Sequence, residues 1–309
     1  MLSFIVIGKN EGAKLSKCFK SIDNCIAKNN LKNVEVIYVD SNSNDDSIAI
    51  AKSFNVQVYK IKGETNAAHG RVIGAKNANG DAFLFLDGDM EINAEVFSEF
   101  YTEKKGLFYP FVTGSFIDVF HDYNWNKIGI GKKNVVTEDK YINLGGGLFF
   151  VASSLWNSVG GMDPRFRINE DYEFTIRVRK KGVKLLKKKE ILVNHNTINY
   201  LDDSRRWAML KNGYFMYFSY LCKKYLFGNG LLNVFIRNNY TLLVLISSLI
   251  IAVCFNLYWV FSFYLIILVL RSIIKKKNLI LFYFLRDLQV LYGLFFFRPN
   301  LKEITIKEI

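Results

Sequence analysis

The chain has 309 residues, half of them hydrophobic, with a formal net charge of +13 and a slightly positive mean hydropathy. That length holds one large domain, or one domain plus an appendage. The excess of positive charge fits nucleic acid or an anionic membrane surface; the apolar excess favours the membrane, and the absence of zinc-finger spacing or an RNA-reading motif argues against nucleic acid. Cys18, Cys25, Cys222 and Cys254 form no C-x-x-C pair, so neither a zinc site nor a disulfide framework is indicated, and a reducing, cytosol-facing compartment is the simplest setting.

In chain order, LSFIVI at 2–7 reads as a buried strand and not as a signal peptide, since no basic leader precedes it. A Gly-Lys-Asn-Glu-Gly turn and a helical pattern over 15–27 follow. VEVIYV at 34–39 is a second strand, ending in Asp40 and the turn-rich SNSNDDS, which caps a helix over about 47–54. VQVYKI at 56–61 is a third strand, 66–79 suits a helix, and AFLFL at 82–86 is a fourth strand that ends in Asp87-Gly88-Asp89. Strands alternating with helices predict an α/β domain built on a mostly parallel sheet. Ligands of such sheets bind beyond the carboxyl ends of the strands. Asp40 and Asp87 occupy that position on two strands, so the two carboxylates are expected at one sheet edge. Asp-Gly alone is also an ordinary turn signal.

Strand material continues at 108–123, and 144–163 holds Gly145, Gly146 and Gly147 before an apolar run. The stretch 171–181 reads as an amphipathic helix, and one or two strands follow, with His195 at the end of ILVNHN. A composition shift after about 233 divides a first domain, 1–233, from a membrane region, 234–309. Within that region 240–274 is almost uninterrupted apolar sequence. A single helix of this length reaches about 50 Å, against a hydrocarbon core of about 30 Å. A hairpin of two shorter helices turning near Asn256 fits better, and it places the basic groups Lys223, Lys224, Arg237, Arg271 and 275–277 on the cytoplasmic side. Residues 279–297 carry Arg286, Asp287 and Gln289 mid-segment, which favours an interfacial helix over a third span.

Asp-x-Asp at a sheet edge suits one hard cation, Mg²⁺ or Mn²⁺, held through oxygens with positions left open for phosphate. Taken together, SFIVIGKNEG at 3–12, VIYVDSNSNDDS at 36–47, RVIGAKNANGDAFLFLDGD at 71–89, LGGGLFFV at 144–151 and GGMDPRFRINEDYEFTIRVRKKG at 160–182 resemble the family 2 glycosyltransferases of GT-A fold. The resemblance spans about 3–200, in the family's order. It implies an α/β GT-A-type nucleotide-sugar domain with a mixed sheet, a nucleotide-sugar donor (UDP-sugar by default), a divalent metal and inversion at the anomeric carbon.

Position by position, the resemblance makes Asp87 and Asp89 the metal and sugar-nucleotide motif. Asp171, with Glu170 beside it, becomes the general base, though an Asp at a helix start is also a plain N-cap. Glu11, Asp40 and Arg71 would line the nucleotide and diphosphate pocket, with a helix-start charge and a solvated helix arginine as the competing readings of the first and last. Gly146 and its neighbours would let backbone approach the sugar, or form a tight turn. His195 matches a further metal ligand in some members, or a structural strand-end histidine. Arg206 and Trp207 resemble the end of a Q-x-x-R-W motif whose Gln is Asp203 here, which speaks for single-sugar transfer. The expected partners are a lipid-linked or membrane-associated acceptor and the inner membrane, with the catalytic domain facing the cytoplasm. The competing functions are a polyprenyl-phosphate sugar synthase, a sugar nucleotidyltransferase and a non-catalytic nucleotide-sugar-binding scaffold.

Overall fold

The computed structural model describes residues 1–198, 203–274 and 279–309. Two compact units emerge, Met1–Asn199 with Leu301–Ile309, and Tyr200–Asn300. The sequence places a break after about 233; the compact units divide at 199/200 and 300/301 instead. The helices from Ser204 pack with later helices, and the last residues return to the first unit. The basic residues at 275–277 lie outside the described residues.

The first unit runs β1 (Leu2–Gly8), α1 (Gly12–Lys28), β2 (Val34–Asp40), α2 (Ser47–Lys52), β3 (Gln57–Gly63), α3 (Ala67–Lys76), β4 (Ala82–Asp87) and β5 (Met90–Ile92). A small β6–β7 pair (Tyr101–Thr102, Gly106–Leu107) precedes β8 (Phe111–His121), β9 (Lys127–Gly131), β10 (Lys140–Ile142), β11 (Phe149–Ala152), α4 (Ser153–Ser158), α5 (Glu170–Lys180) and β12 (Leu185–Ile198). The last strand is β13 (Ile304–Glu308). Among the described residues eleven strands form one sheet in the order β10-β12-β8-β11-β4-β1-β2-β3-β13, with β5 on β12 and β9 on β8. Strands β4, β1, β2 and β3 are mutually parallel, as the strand-helix alternation requires. β11 inserts antiparallel between β4 and β8, and β8 and β12 are again parallel. The carboxyl ends of β1, β2, β4, β8 and β12 therefore share one edge.

β1 shows why its sequence is apolar throughout. Leu2, Phe4 and Val6 enter one core cluster together with Leu15, Cys18, Phe19 and Ile22 of α1. Ile5 and Ile7 point to the opposite face, so the strand is covered on both sides. On that second face α3 lies close to the sheet, because a Cβ at Gly74 would stand 2.3 Å from Cγ2 of Ile5. Asn66 caps α3 by accepting a hydrogen bond from the His69 N–H at 2.9 Å. The close approach carries Arg71, one turn into the helix, under the sheet edge with 2 % of its side chain exposed.

The second unit holds α6 (Ser204–Lys211), α7 (Tyr214–Lys224), α8 (Leu231–Phe255), α9 (Phe261–Ile274) and α10 (Ile280–Phe295). α8 and α9 are joined through Asn256, which takes the left-handed conformation at φ 55°, at the turn position read from the sequence. The helix before that turn starts earlier than residue 240 and is interrupted at Asn239 (φ −124°, ψ 29°). On α10, Arg286 and Asp287 pair at 2.8 Å and are buried at 6 % and 0 % exposure. Tyr264 of α9 donates to Asp287 at 3.3 Å, and Arg286 donates to Thr241 of α8 at 3.2 Å. The charges that suggested a surface-lying helix thus face neighbouring helices, not solvent.

Gly74→Ala is expected to destabilise the first unit by about 1–3 kcal/mol through overpacking against Ile5, whereas Gly146→Ala, where a Cβ meets nothing within 4 Å, leaves the melting temperature unchanged; thermal denaturation of the two variants checks this.

Candidate functional site

The carboxyl edge of the sheet gathers most of the residues singled out in the sequence. β4 ends in Asp87, and Asp89 begins the return into β5. The glycine between them sits in a close approach: a Cβ at Gly88 would lie 3.0 Å from Cγ of Glu11 and 3.1 Å from Leu15. Glu11, in the turn after β1, therefore packs directly beneath the Asp-x-Asp turn. Burial first, then the charge of Asp89, pushes its carboxyl up to about 7, against the pull of Lys14, with which it forms an ion pair.

Arg71 is the centre of the arrangement. Its Nη2 donates to Asp87 Oδ1 at 2.9 Å and its Nη1 to Glu170 Oε1 at 3.0 Å. One guanidinium thus ties the end of β4 to the first residue of α5. Gly147 makes room for it, since a Cβ there would stand 2.3 Å from Nη2. Of the three sequential glycines, the one that borders the site is Gly147; Gly146, expected from the sequence to matter, is exposed with open space around it. Arg71 is accordingly a buried bridging residue and not a solvated helix arginine.

Asp171 follows Glu170 at the start of α5, where Asn169 adopts φ 63°. Its Oδ1 accepts from the N–H of Tyr172 at 2.8 Å. Burial, and then the adjacent Glu170 carboxylate, push Asp171 up to about 8, against the opposing pull of Arg71 and the helix N–H groups. A carboxyl with this pKa takes a proton near neutral pH and returns it readily, which is the property of a general base or acid.

On the other side of the turn, His195, three residues before the end of β12, stands with Nε2 3.5 Å from Asp89 Oδ2 and Nδ1 2.8 Å from Asp118 Oδ1. Burial opposes its positive charge, but Asp89 and Asp118 outweigh that and raise it to about 9. Asp118, opposite His195 in the second half of β8, escaped the sequence reading; its only signal there was its place in a strand-like run. Asp89 Oδ1 is buried and has no hydrogen-bond partner. An orphaned acidic oxygen on the turn that also carries Asp87 suits a hard divalent cation, and His195 would have to give up a proton to join it. Among the described residues, no three His, Cys, Asp or Glu side chains converge as a ready-made cage, so such an ion would draw further ligands from outside the protein.

A cavity of about 310 Å³ opens above this edge. Glu11, Asp87, Asp89, Ser41, Thr65 and Asn66 are among the residues that line it. Asp40 does not line it. It is fully buried, accepting from the Ser43 N–H at 2.9 Å and from the Tyr38 hydroxyl at 3.3 Å, so it shapes the turn that presents Ser41. A second cavity of about 210 Å³ shares Glu11 and includes Lys14, Trp125 and Asn196. Arg206 and Trp207 belong to α6 in the second unit. There Arg206 pairs with Asp203 at 2.7 Å, and the Trp207 ring lies 5.5 Å from that of Phe282.

Comparison with known proteins bears on this site. Residues 3–156 match the family model described as glycosyl transferase family 2. A protein of Haemophilus influenzae described as an uncharacterized glycosyltransferase is 27 % identical over 186 residues, covering 58 % of this chain and 62 % of that protein. The 4,4'-diaponeurosporenoate glycosyltransferase of Staphylococcus haemolyticus is 29 % identical over 100 residues, 30 % of this chain and 25 % of that protein. The chain thus spans about three fifths of the first relative's length and a quarter of the second's. Among solved structures, S. aureus TarS is similar at 16 % identity and a TM-score of 0.49, over 69 % of this chain and 64 % of that one.

Gly147→Ala is expected to force Arg71 off its two carboxylates and to cost about 1–3 kcal/mol of stability, a loss that thermal denaturation reads directly and that the neighbouring exposed Gly146 does not share.

Proposed function

The chain belongs to glycosyl transferase family 2 through residues 3–156, with an α/β fold of GT-A type, and from that premise we propose that it transfers one sugar from a nucleotide-sugar to a hydroxyl of a membrane-associated acceptor, with inversion. The observation that carries the reading is the single buried guanidinium of Arg71, which joins the Asp-x-Asp turn to the helix that starts with Glu170-Asp171. One arginine therefore pairs with the first Asp of the proposed donor-binding turn and with Glu170, the neighbour of the proposed base.

In this reading the cavity above Asp87 and Asp89 takes the donor, taken as a UDP-sugar. Glu11, Ser41, Thr65 and Asn66 line it. Asp171 accepts the proton of the attacking hydroxyl, and the oxygen displaces the nucleoside diphosphate in one step. The bond from the anomeric carbon to the acceptor forms as that to the diphosphate oxygen breaks. Arg71 holds Glu170 in place beside Asp171, whose basicity comes first from burial and then from that neighbouring carboxyl. A Mg²⁺ or Mn²⁺ ion, which Asp89 would hold with Asp87 or His195 and with ligands from the donor, would supply charge neutralisation for the leaving diphosphate when bound. A carboxyl raised to about 8 suits a neutral hydroxyl acceptor, whereas an ionised phosphate acceptor needs no base.

The bilayer part of the proposal rests on the second unit. Leu231–Phe255 is one helix long and apolar enough to cross a bilayer by length and composition. Large apolar side chains stay exposed along it and along α9: Val253 at 72 %, Phe255 at 68 %, Ile273 at 65 % and Ile274 at 75 %. Continuous apolar surface of this kind calls for lipid or a protein partner. We read α8 and α9 as a membrane hairpin with its basic flanks on the cytoplasmic side, and α10, about 24 Å long by its 16 residues, as a helix whose charges stay inside the helical cluster.

Two measurements check this. For a base with a folded pKa near 8, kcat/KM should rise about tenfold per pH unit below pH 8 and level off above it. Because that folded value lies above the unfolded one of about 4, the protonated Asp171 contributes stability that is full below about pH 4 and lost as pH rises through 8. Asp171→Asn should then abolish transfer at every pH and raise the melting temperature at pH 8 and above. A flat pH-rate profile with an active Asp171→Asn variant contradicts the assignment. Separately, the chain should sediment with membranes and resist extraction by alkaline carbonate; release into the soluble fraction removes the membrane hairpin.

A further inference from the structure

One wall of the donor cavity is built on a turn that no motif announces. Thr65 and Asn66 form it, directly after Gly63 at the end of β3. β3 is not the sheet edge. After the helices of the second unit the chain returns, and β13 runs antiparallel along β3, from Ile304 opposite Gly63 to Glu308 opposite Tyr59. The N–H of Ile309 extends the ladder by donating to the Val58 carbonyl at 3.0 Å, and Ile304 packs against the core cluster that contains Ile37, Val39 and Ile61.

The turn is fitted to this strand. Gly63 has φ +110°, a conformation that side chains rarely adopt, and a Cβ there would stand 2.8 Å from the carbonyl oxygen of Glu303. The next residue, Glu64, pairs with Lys302 at 2.9 Å and with Arg167, which lies on the loop leading to Glu170 and Asp171. Thr65 donates to the Ser41 carbonyl at 3.1 Å, and Asn66 donates to the Pro164 carbonyl at 2.7 Å. Within four residues the turn therefore meets the terminal strand, the donor cavity, the loop before the base and the N-terminus of the helix that carries Arg71.

We propose that the C-terminal strand β13 is a positioning element of the active site: it holds the turn 63–66 so that Thr65 and Asn66 wall the donor cavity and Glu64 anchors the loop before Asp171. This rests on the reading of that cavity as the donor site. The ion pairs of Glu64 are exposed and contribute little alone; the backbone ladder and the close fit at Gly63 carry the constraint. A strand that only shielded a sheet edge would need neither the glycine at 63 nor a lysine placed against Glu64.

The test compares the full chain, a chain ending at Asn300, and Gly63→Ala in the full chain, all in the same detergent. Amide hydrogen exchange is followed over 64–71 and 164–171, and UDP affinity is measured calorimetrically with Mn²⁺. Both variants should exchange faster in both segments and bind UDP about tenfold more weakly, while Lys302→Arg behaves as the parent. Faster exchange confined to 57–62, with UDP affinity within about twofold of the parent, overturns the proposal and leaves β13 as an edge cover. Should the parent chain bind no UDP, the donor-site reading is what fails, and exchange over 64–71 and 164–171 alone decides whether β13 holds the turn.

Discussion

A guanidinium with 2 % of its surface exposed is stable only where carboxylates meet it, and Arg71 meets two, at 2.9 and 3.0 Å. That requirement organises the catalytic unit. It fixes Asp87 at the end of β4 and Glu170 at the start of α5, elements that are far apart in sequence and carry different chemistry. It also explains small residues around it: Gly74 lets α3 approach β1, and Gly147 leaves the space that the guanidinium fills. Burial raises the carboxyls of both Glu170 and Asp171, against the pull of Arg71, and the Glu170 carboxylate adds to the rise at Asp171. The basicity of the proposed base is thus a consequence of how the core is closed.

The Asp-x-Asp turn is balanced in the same way. Arg71 lies on Asp87, and His195 lies near Asp89 while Asp118 holds its other nitrogen. Carboxylate partners on both sides of an imidazole fix its orientation. Asp89 Oδ1 is left buried without a partner, on a residue that lines the cavity. In the second unit the same rule operates among apolar helices: Arg286 and Asp287 are buried because they pair, with Thr241 and Tyr264 completing the network.

Much of this was legible in the sequence, because periodicity and position carry it. The apolar runs of β1, β2 and β4 and the helices between them dictate a parallel sheet, and strand ends in such a sheet share an edge, so Asp40 and Asp87 were placed correctly on it. What the sequence did not show is how each group is consumed. Asp40 is spent on Ser43 and Tyr38, and Ser41 lines the cavity in its place. Gly147 borders the site while Gly146 does not, a distinction of one residue set by the path of a loop. Asp118 depended on the parallel pairing of β8 with β12, a long-range contact without a local signal. β13 was missed because ITIKE is short and flanked by charge, as edge strands are, and nothing local says that the chain returns to β3.

The claim on which the account stands is that Arg71 and Glu170 are one buried unit. A double-mutant cycle of Arg71→Met and Glu170→Gln, read by thermal or denaturant unfolding of the full chain, tests it directly. The account predicts strong coupling: Arg71→Met strands a buried carboxylate, and adding Glu170→Gln recovers at least about 1 kcal/mol of the loss. Losses that simply add, within about 0.3–0.5 kcal/mol, would contradict it.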